Sequence, residues 1–227
     1  DEVAPASPVP TRIEETPKVR RGGGILASQA ADNLYWFARY VERAEMTLRV
    51  IRAVLGSMIE VDAAGGNNPE TVADLLALLV EWNAIAPETA EHTPVQAARA
   101  ALVETTLPGG VGTIFAQFRA AGLTLRDRLT PDFWRIVSRP LPVPDSHRPG
   151  ALLRVARELI ERLSALSGLL AENFIRGPSW RFLDLGRRIE RALGICDTVG
   201  MMLTISDNPK TPFDERTEAL GVLLDLS

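Results

Sequence analysis

One charged signature is written twice into this chain, both times on the same helical frame. The first copy reads Leu34-Tyr35-Trp36-Phe37-Ala38-Arg39-Tyr40-Val41-Glu42-Arg43-Ala44. The second reads Phe182-Leu183-Asp184-Leu185-Gly186-Arg187-Arg188-Ile189-Glu190-Arg191-Ala192. Superposing the Glu-Arg pairs places Arg39 on Arg187, Glu42 on Glu190 and Arg43 on Arg191. An apolar series comes into register with them. Leu34, Phe37, Val41, Ala44, Leu48, Ile51 and Leu55 fall on Phe182, Leu185, Ile189, Ala192, Cys196, Val199 and Leu203. Steps of three and four place each series on one helix face. Two helices therefore carry the same Arg-x-x-Glu-Arg group at the same angle to a stripe expected to be buried.

The rest of the chain is punctuated as helices. Ser28 is placed to cap a long helix running to about Glu60. Asn68-Pro69, Thr93-Pro94, Thr130-Pro131 and Thr211-Pro212 each pair a capping side chain with a proline that has no amide to leave unpaired. They predict helices near 69–85, 94–106, 131–138 and 212–226. Thr211 with Asp214 has the spacing of a capping box. A helix near 112–129 is weakened at Gly122. Pro140, Pro142, Pro144 and Pro149 make residues 139–149 an extended crossover. A helix over about 150–175 ends at Gly177-Pro178, and Ser179 caps the second signature helix, to about Ile205. No strand-like alternation is present. The expected fold is all-α, a multi-helix bundle with two long motif-bearing helices.

Residues 1–24 stand apart. Pro5, Pro8, Pro10 and Pro17 break helices, and Gly22-Gly23-Gly24 supplies a hinge, so a linker or tail is expected. Its Arg12, Lys18, Arg20 and Arg21 also suit a docking arm for another domain. At the other end, Leu220 to Ser227 is apolar with no stopping signal, which suggests a domain cut short at its C-terminus.

Composition narrows the functional classes. Over 227 residues the net charge is −4, which makes no electrostatic case for nucleic acid or an anionic membrane. No apolar run approaches a membrane span, and no signal-peptide core opens the chain. The single cysteine, Cys196, permits no internal disulfide and fits a reducing compartment, so a cytoplasmic location is expected. The two histidines, His92 and His147, fall in predicted loops outside any Glu-x-x-His spacing, and one cysteine makes no zinc site. Asp145-Ser146-His147 is a loop tripeptide whose adjacent residues cannot adopt triad geometry. Gly22-Gly23-Gly24 lacks the Lys-Ser/Thr of a phosphate loop. No metal and no cofactor are expected.

The candidate cluster is Arg39, Glu42, Arg43, Arg187, Glu190 and Arg191. On an isolated helix this order is poor, because Glu is better placed before its cation and like charges four apart repel. It makes sense when each guanidinium reaches another helix. Glu42 is then expected to meet Arg187 or Arg191, and Glu190 to meet Arg39 or Arg43. Ala38 and Gly186, one turn before each Glu, permit close approach. One reading is a partly buried salt-bridge network that fixes register. The other is an arginine pocket for carboxylate or phosphate. Tyr35, Trp36, Tyr40 and Trp180 lie beside the cluster and suit a cleft or interface, while Phe37 and Phe182 fall on the stripes and are expected in the core. Arg126-Asp127-Arg128-Leu129-Thr130-Pro131-Asp132-Phe133-Trp134 reads as helix, capped turn and a second helix anchored by Trp134.

The run from Ser28 through Ala31-Asp32-Asn33-Leu34-Tyr35-Trp36, Arg39-Tyr40 and Glu42-Arg43-Ala44-Glu45 resembles the opening signature of the alpha-E family, a bacterial all-helical domain. Trp180 to Ala192 is similar to its second signature, and Arg126-Asp127 to Trp134 to its middle motif. The likeness covers about residues 25–227. It implies a helical domain found beside, or fused after, a circularly permuted ATP-grasp domain, often near a transglutaminase-like protein. The implied role is an accessory partner of an amide- or peptide-bond-forming ligase. No ATP-grasp motif occurs in these residues, so no catalysis by this segment alone is expected. The alternative is that the paired Arg/Glu cluster is itself a binding or catalytic site.

Overall fold

The computed structural model describes residues 28–60, 69–126, 130–173 and 175–206, together with positions 221, 222, 224 and 226. The linker expected over 1–24 and the helix start at Thr211-Pro212 lie outside the described residues. Among the described residues every regular element is a helix. In chain order they are α1 (Ser28–Glu60), α2 (Pro69–Glu81), α3 (Pro87–Ala90), α4 (Pro94–Val103), α5 (Val111–Thr124), α6 (Pro131–Ser138), α7 (Pro149–Asn173) and α8 (Pro178–Ser206).

The start signals work as their chemistry dictates. Thr93 closes a full capping box with Gln96, and the Thr130 hydroxyl accepts from the Phe133 amide at 3.3 Å. Several boundaries differ from expectation: the helix expected to reach 106 ends at Val103, and the one expected to reach 129 ends at Thr124. α8 begins at Pro178, so Ser179 lies inside the helix instead of capping it. The region predicted as one helix over 69–85 stops at Glu81, where Asn83 takes a left-handed φ of 54° and turns the chain into the short α3. Asn tolerates that conformation better than most side chains.

α1 is the axis of the fold, packing against α2, α4, α5, α7 and α8. Its stripe of Leu34, Phe37, Val41, Ala44, Leu48, Ile51 and Leu55 is fully buried. Phe37 sits in an aromatic nest with Phe118 and Phe133, ring centroids 5.8 and 5.7 Å away. Gly122 also belongs there, since a side chain on it would press into Val137 and the Phe37 ring. Phe133 and Val137 anchor α6 in the core, while Trp134 is only partly buried and stacks its ring under the Arg126 guanidinium.

The second stripe behaves differently, and this corrects the expectation that it is core. Phe182 is 37% and Leu185 48% exposed, and Ala192 and Cys196 are also exposed. α8 instead turns Leu183, Gly186, Glu190, Gly194 and Thr198 inward. No described helix covers its other side.

Candidate functional site

α1 and α8 meet along equivalent positions of the two signatures. The backbone of Gly186 lies against the Tyr35 carbonyl and the Ala38 methyl, and Gly194 lies under the Met46 side chain. Residue numbers rise together along this contact, so the helices run parallel and in register. A local two-fold axis between them relates Ala38 to Gly186, Glu42 to Glu190 and Met46 to Gly194. Small residues at the closest points allow the backbones to approach.

That approach brings the six charged residues together. Glu190 accepts from Arg39 Nε on one carboxylate oxygen and from Arg43 Nε on the other, both at 2.5 Å. Glu42 accepts from Arg191 Nε at 2.5 Å and from Arg187 Nε at 3.5 Å. Each carboxylate is thus clamped by two guanidinium groups of the opposite helix. Both are deeply buried, Glu42 at 2% and Glu190 at 7% exposure. A carboxylate removed from water in this way needs such pairing. The Glu42 bond raises the Arg191 pKa over the opposing effect of burial. At Arg39 burial pulls the pKa down, and the bond and charge of Glu190, with Tyr35, outweigh it and raise it. These cations keep their protons throughout the neutral range.

The aromatic residues divide into two groups. Tyr35, Trp36 and Tyr40 gather around Arg39. Its guanidinium lies 5.1 Å from the Trp36 ring centroid, it donates from Nη1 to the Tyr35 hydroxyl at 3.3 Å, and Trp36 stacks on Tyr40 at 5.8 Å. Trp180 adjoins the cluster at Arg187 instead. It lies under Arg176 and lines a separate hollow of about 210 Å³ with Leu183 and Arg187.

Both carboxylate charges of the cluster are taken up by the protein's own arginines, while the Arg43 and Arg191 side chains stay 31% and 48% exposed. The outer face of α8 is apolar where it carries Phe182 and Leu185, 37% and 48% exposed.

Two polar features escaped the reading of the sequence. Arg162 on α7 is buried at 7% exposure and makes no ion pair among the described residues. Its guanidinium donates to the carbonyls of Ile136, Val137, Arg139 and Pro140 at 2.5–3.2 Å and lies over the Phe115 ring. It thereby caps the C-terminal end of α6 and pins the start of the proline-rich crossover. Burial, then repulsion by Arg139 and Arg119, lowers its pKa to about 10. The second feature is the Glu104 turn. One Glu104 oxygen accepts from the amides of Thr105, Thr106 and Leu107 and from the Thr106 hydroxyl. Only the folded path of the backbone around these side chains reveals such roles.

Among the described residues no group of acidic, His or Cys side chains is arranged to hold a metal, and no helix is long and apolar enough to cross a membrane.

A family described as a predicted alpha-helical domain with a conserved ER motif matches residues 26–227. The chain belongs to the Alpha-E family. It is 24% identical over 231 aligned residues to uncharacterized proteins of Mycobacterium tuberculosis strain H37Rv and Mycobacterium bovis, covering 85% of this chain. The match takes in 24% of each relative, so the chain spans about a quarter of the length of the curated relatives it matches. No solved structure matches it.

Proposed function

We propose that this domain is a helical accessory partner in an ATP-grasp system that forms amide or peptide bonds, and that the ligase chemistry belongs to the partner. The carrying observation is the contrast across α8. Its inner face is locked by Glu190, Arg187 and Arg191, while its outer face presents Phe182 and Leu185 without a covering helix among the described residues. The equivalent stripe of α1 is buried under α4, α5 and α7. A row of large apolar side chains in water is the mark of an interaction surface.

The occupant of this face is an amphipathic helical surface of the ATP-grasp partner, fused or separate. Support comes from the local two-fold, which calls for a helical layer on α8 like the one on α1. It comes also from the relatives, in which the matching segment occupies about a quarter of a much longer polypeptide with further mass to dock. A transglutaminase-like protein fits the same setting as an additional partner.

The test is sedimentation of the purified chain with the ATP-grasp protein of the same organism. A complex that is lost on Phe182→Asp plus Leu185→Asp, with helicity unchanged, supports the reading. No complex, or a complex indifferent to these changes, overturns it.

A further inference from the structure

A second concavity lies on the inner side of α8, apart from the apolar stripe. It has a volume of about 310 Å³ and is formed where α1, α8, the turn after α2 and the loop before α5 converge. This is within the size range of small-molecule sites.

Its walls are pinned. Gly109 donates its amide to the Asn83 carbonyl at 3.0 Å, and any side chain there would strike the Trp82 carbonyl. Trp82 Nε1 donates to Asp197 Oδ2 at 3.0 Å, tying the turn to α8. Met46 lies flat on Gly194, which has no Cβ to displace it. Met46, Trp82, Pro108 and Leu193 make the lining largely apolar.

Two opposite charges border this apolar space. Arg43 spends only Nε on Glu190, and its two Nη nitrogens have no hydrogen-bond partner among the described residues. Asp197 gives one oxygen to Trp82 and pairs with no cation among the described residues. Glu190 and Asp197 are two helical turns apart on α8, about 10 Å along its axis. Arg43 is held from the Glu190 side, and its free edge and the Asp197 carboxylate both line the same cavity.

We propose that this cavity binds a small zwitterion of the amino-acid class. Its carboxylate is taken by the Arg43 Nη edge, its ammonium by Asp197, and its apolar side chain by Met46, Trp82 and Leu193. A guanidinium edge suits a carboxylate, and a carboxylate lacking a cation suits an ammonium. The two charges must be met together, which distinguishes this ligand from a simple anion. The inference rests on the cavity alone and uses none of the residues that test the docking of α8.

The experiment is calorimetric titration of the chain with the common free L-amino acids, each up to about 10 mM. The best binder is then compared with its N-acetyl and its amide forms, and with inorganic phosphate. The expected result is saturable binding that weakens about tenfold or more on blocking either end. Asp197→Asn keeps an acceptor for Trp82 and is expected to weaken binding similarly. Leu193→Trp, at a half-exposed position, fills the cavity and is expected to abolish it. Absence of any binder overturns the proposal. So does equal binding of the blocked forms, or phosphate binding that Asp197→Asn leaves unchanged, which would mark an anion site on Arg43 alone.

Discussion

Gly186 rests directly on the backbone of Tyr35, so closely that a methyl group on Gly186 would overlap the Tyr35 carbonyl oxygen. The contact sets how near α8 comes to α1, and with it the length of every Arg–Glu bond above it. Gly186→Ala is therefore expected to force the helices apart. Helix propensity favours the change by roughly 1 kcal/mol. Overpacking opposes it by about 1–3 kcal/mol, and rigid backbone on the far side leaves little room for relief. Net destabilisation in urea denaturation is the expected outcome. A more stable Gly186→Ala protein would show that the helices do not need this approach.

The two carboxylates of the network are expected to differ in weight. The side chains that clamp Glu190, Arg39 and Arg43, are 15% and 31% exposed, against 25% and 48% for Arg187 and Arg191 around Glu42. Arginines left without a partner recover less hydration at the Glu190 end. Glu190→Gln is expected to cost about 3–5 kcal/mol, and Glu42→Gln less. Equal melting temperatures for the two variants would contradict this ranking.

Arg162 is the keystone of the α6–α7 junction. Arg162→Met keeps the apolar stem but abandons four carbonyls, and is expected to cost at least about 3 kcal/mol. Arg162→Lys cannot span the same set and is expected to recover only part of that loss. Hydrogen exchange offers the local readout, with amides around Arg139 losing protection before those of α1.

Glu104 gives the fold one pH-dependent support. Hydrogen bonds from the Thr106 hydroxyl, then its amide, hold the Glu104 pKa below its ordinary value, with smaller help from Leu107 and Thr105. A depressed carboxylate stabilises the fold above its unfolded pKa and loses that contribution as pH falls through the folded one. Wild type is thus expected to exceed Glu104→Gln in melting temperature at pH 7. The gap is expected to close on acidification below the usual carboxylate range. A gap that persists at pH 2 would mean that shape, not charge, holds the turn.

The all-α architecture was legible because start signals act locally. Thr93 and Thr130 need only the next turn of their own helices to do their work. The reciprocal pairing of Glu42 and Glu190 was legible too, since the order of charges was poor for an isolated helix. The side of α8 that is buried was not. Periodicity finds an apolar stripe but not its neighbour, and α8 packs through Gly186, Glu190 and Gly194 while Phe182 and Leu185 face outward. Arg162 was invisible for a related reason. Its partners are backbone carbonyls, which carry no residue identity.

The clamp between α1 and α8 joins residues 145–151 positions apart in the chain. Closing so long a loop is entropically costly and slows folding. During synthesis α1 emerges well before α8 exists, with Glu42 and its arginines unable to meet their partners. The buried stripe of α1 can be covered first by α4, α5 and α7, leaving the charged seam as the last to close. Expression of the segment ending before α8 is thus expected to yield a collapsed but loosely packed species, and the addition of α8 to convert it into a cooperative fold.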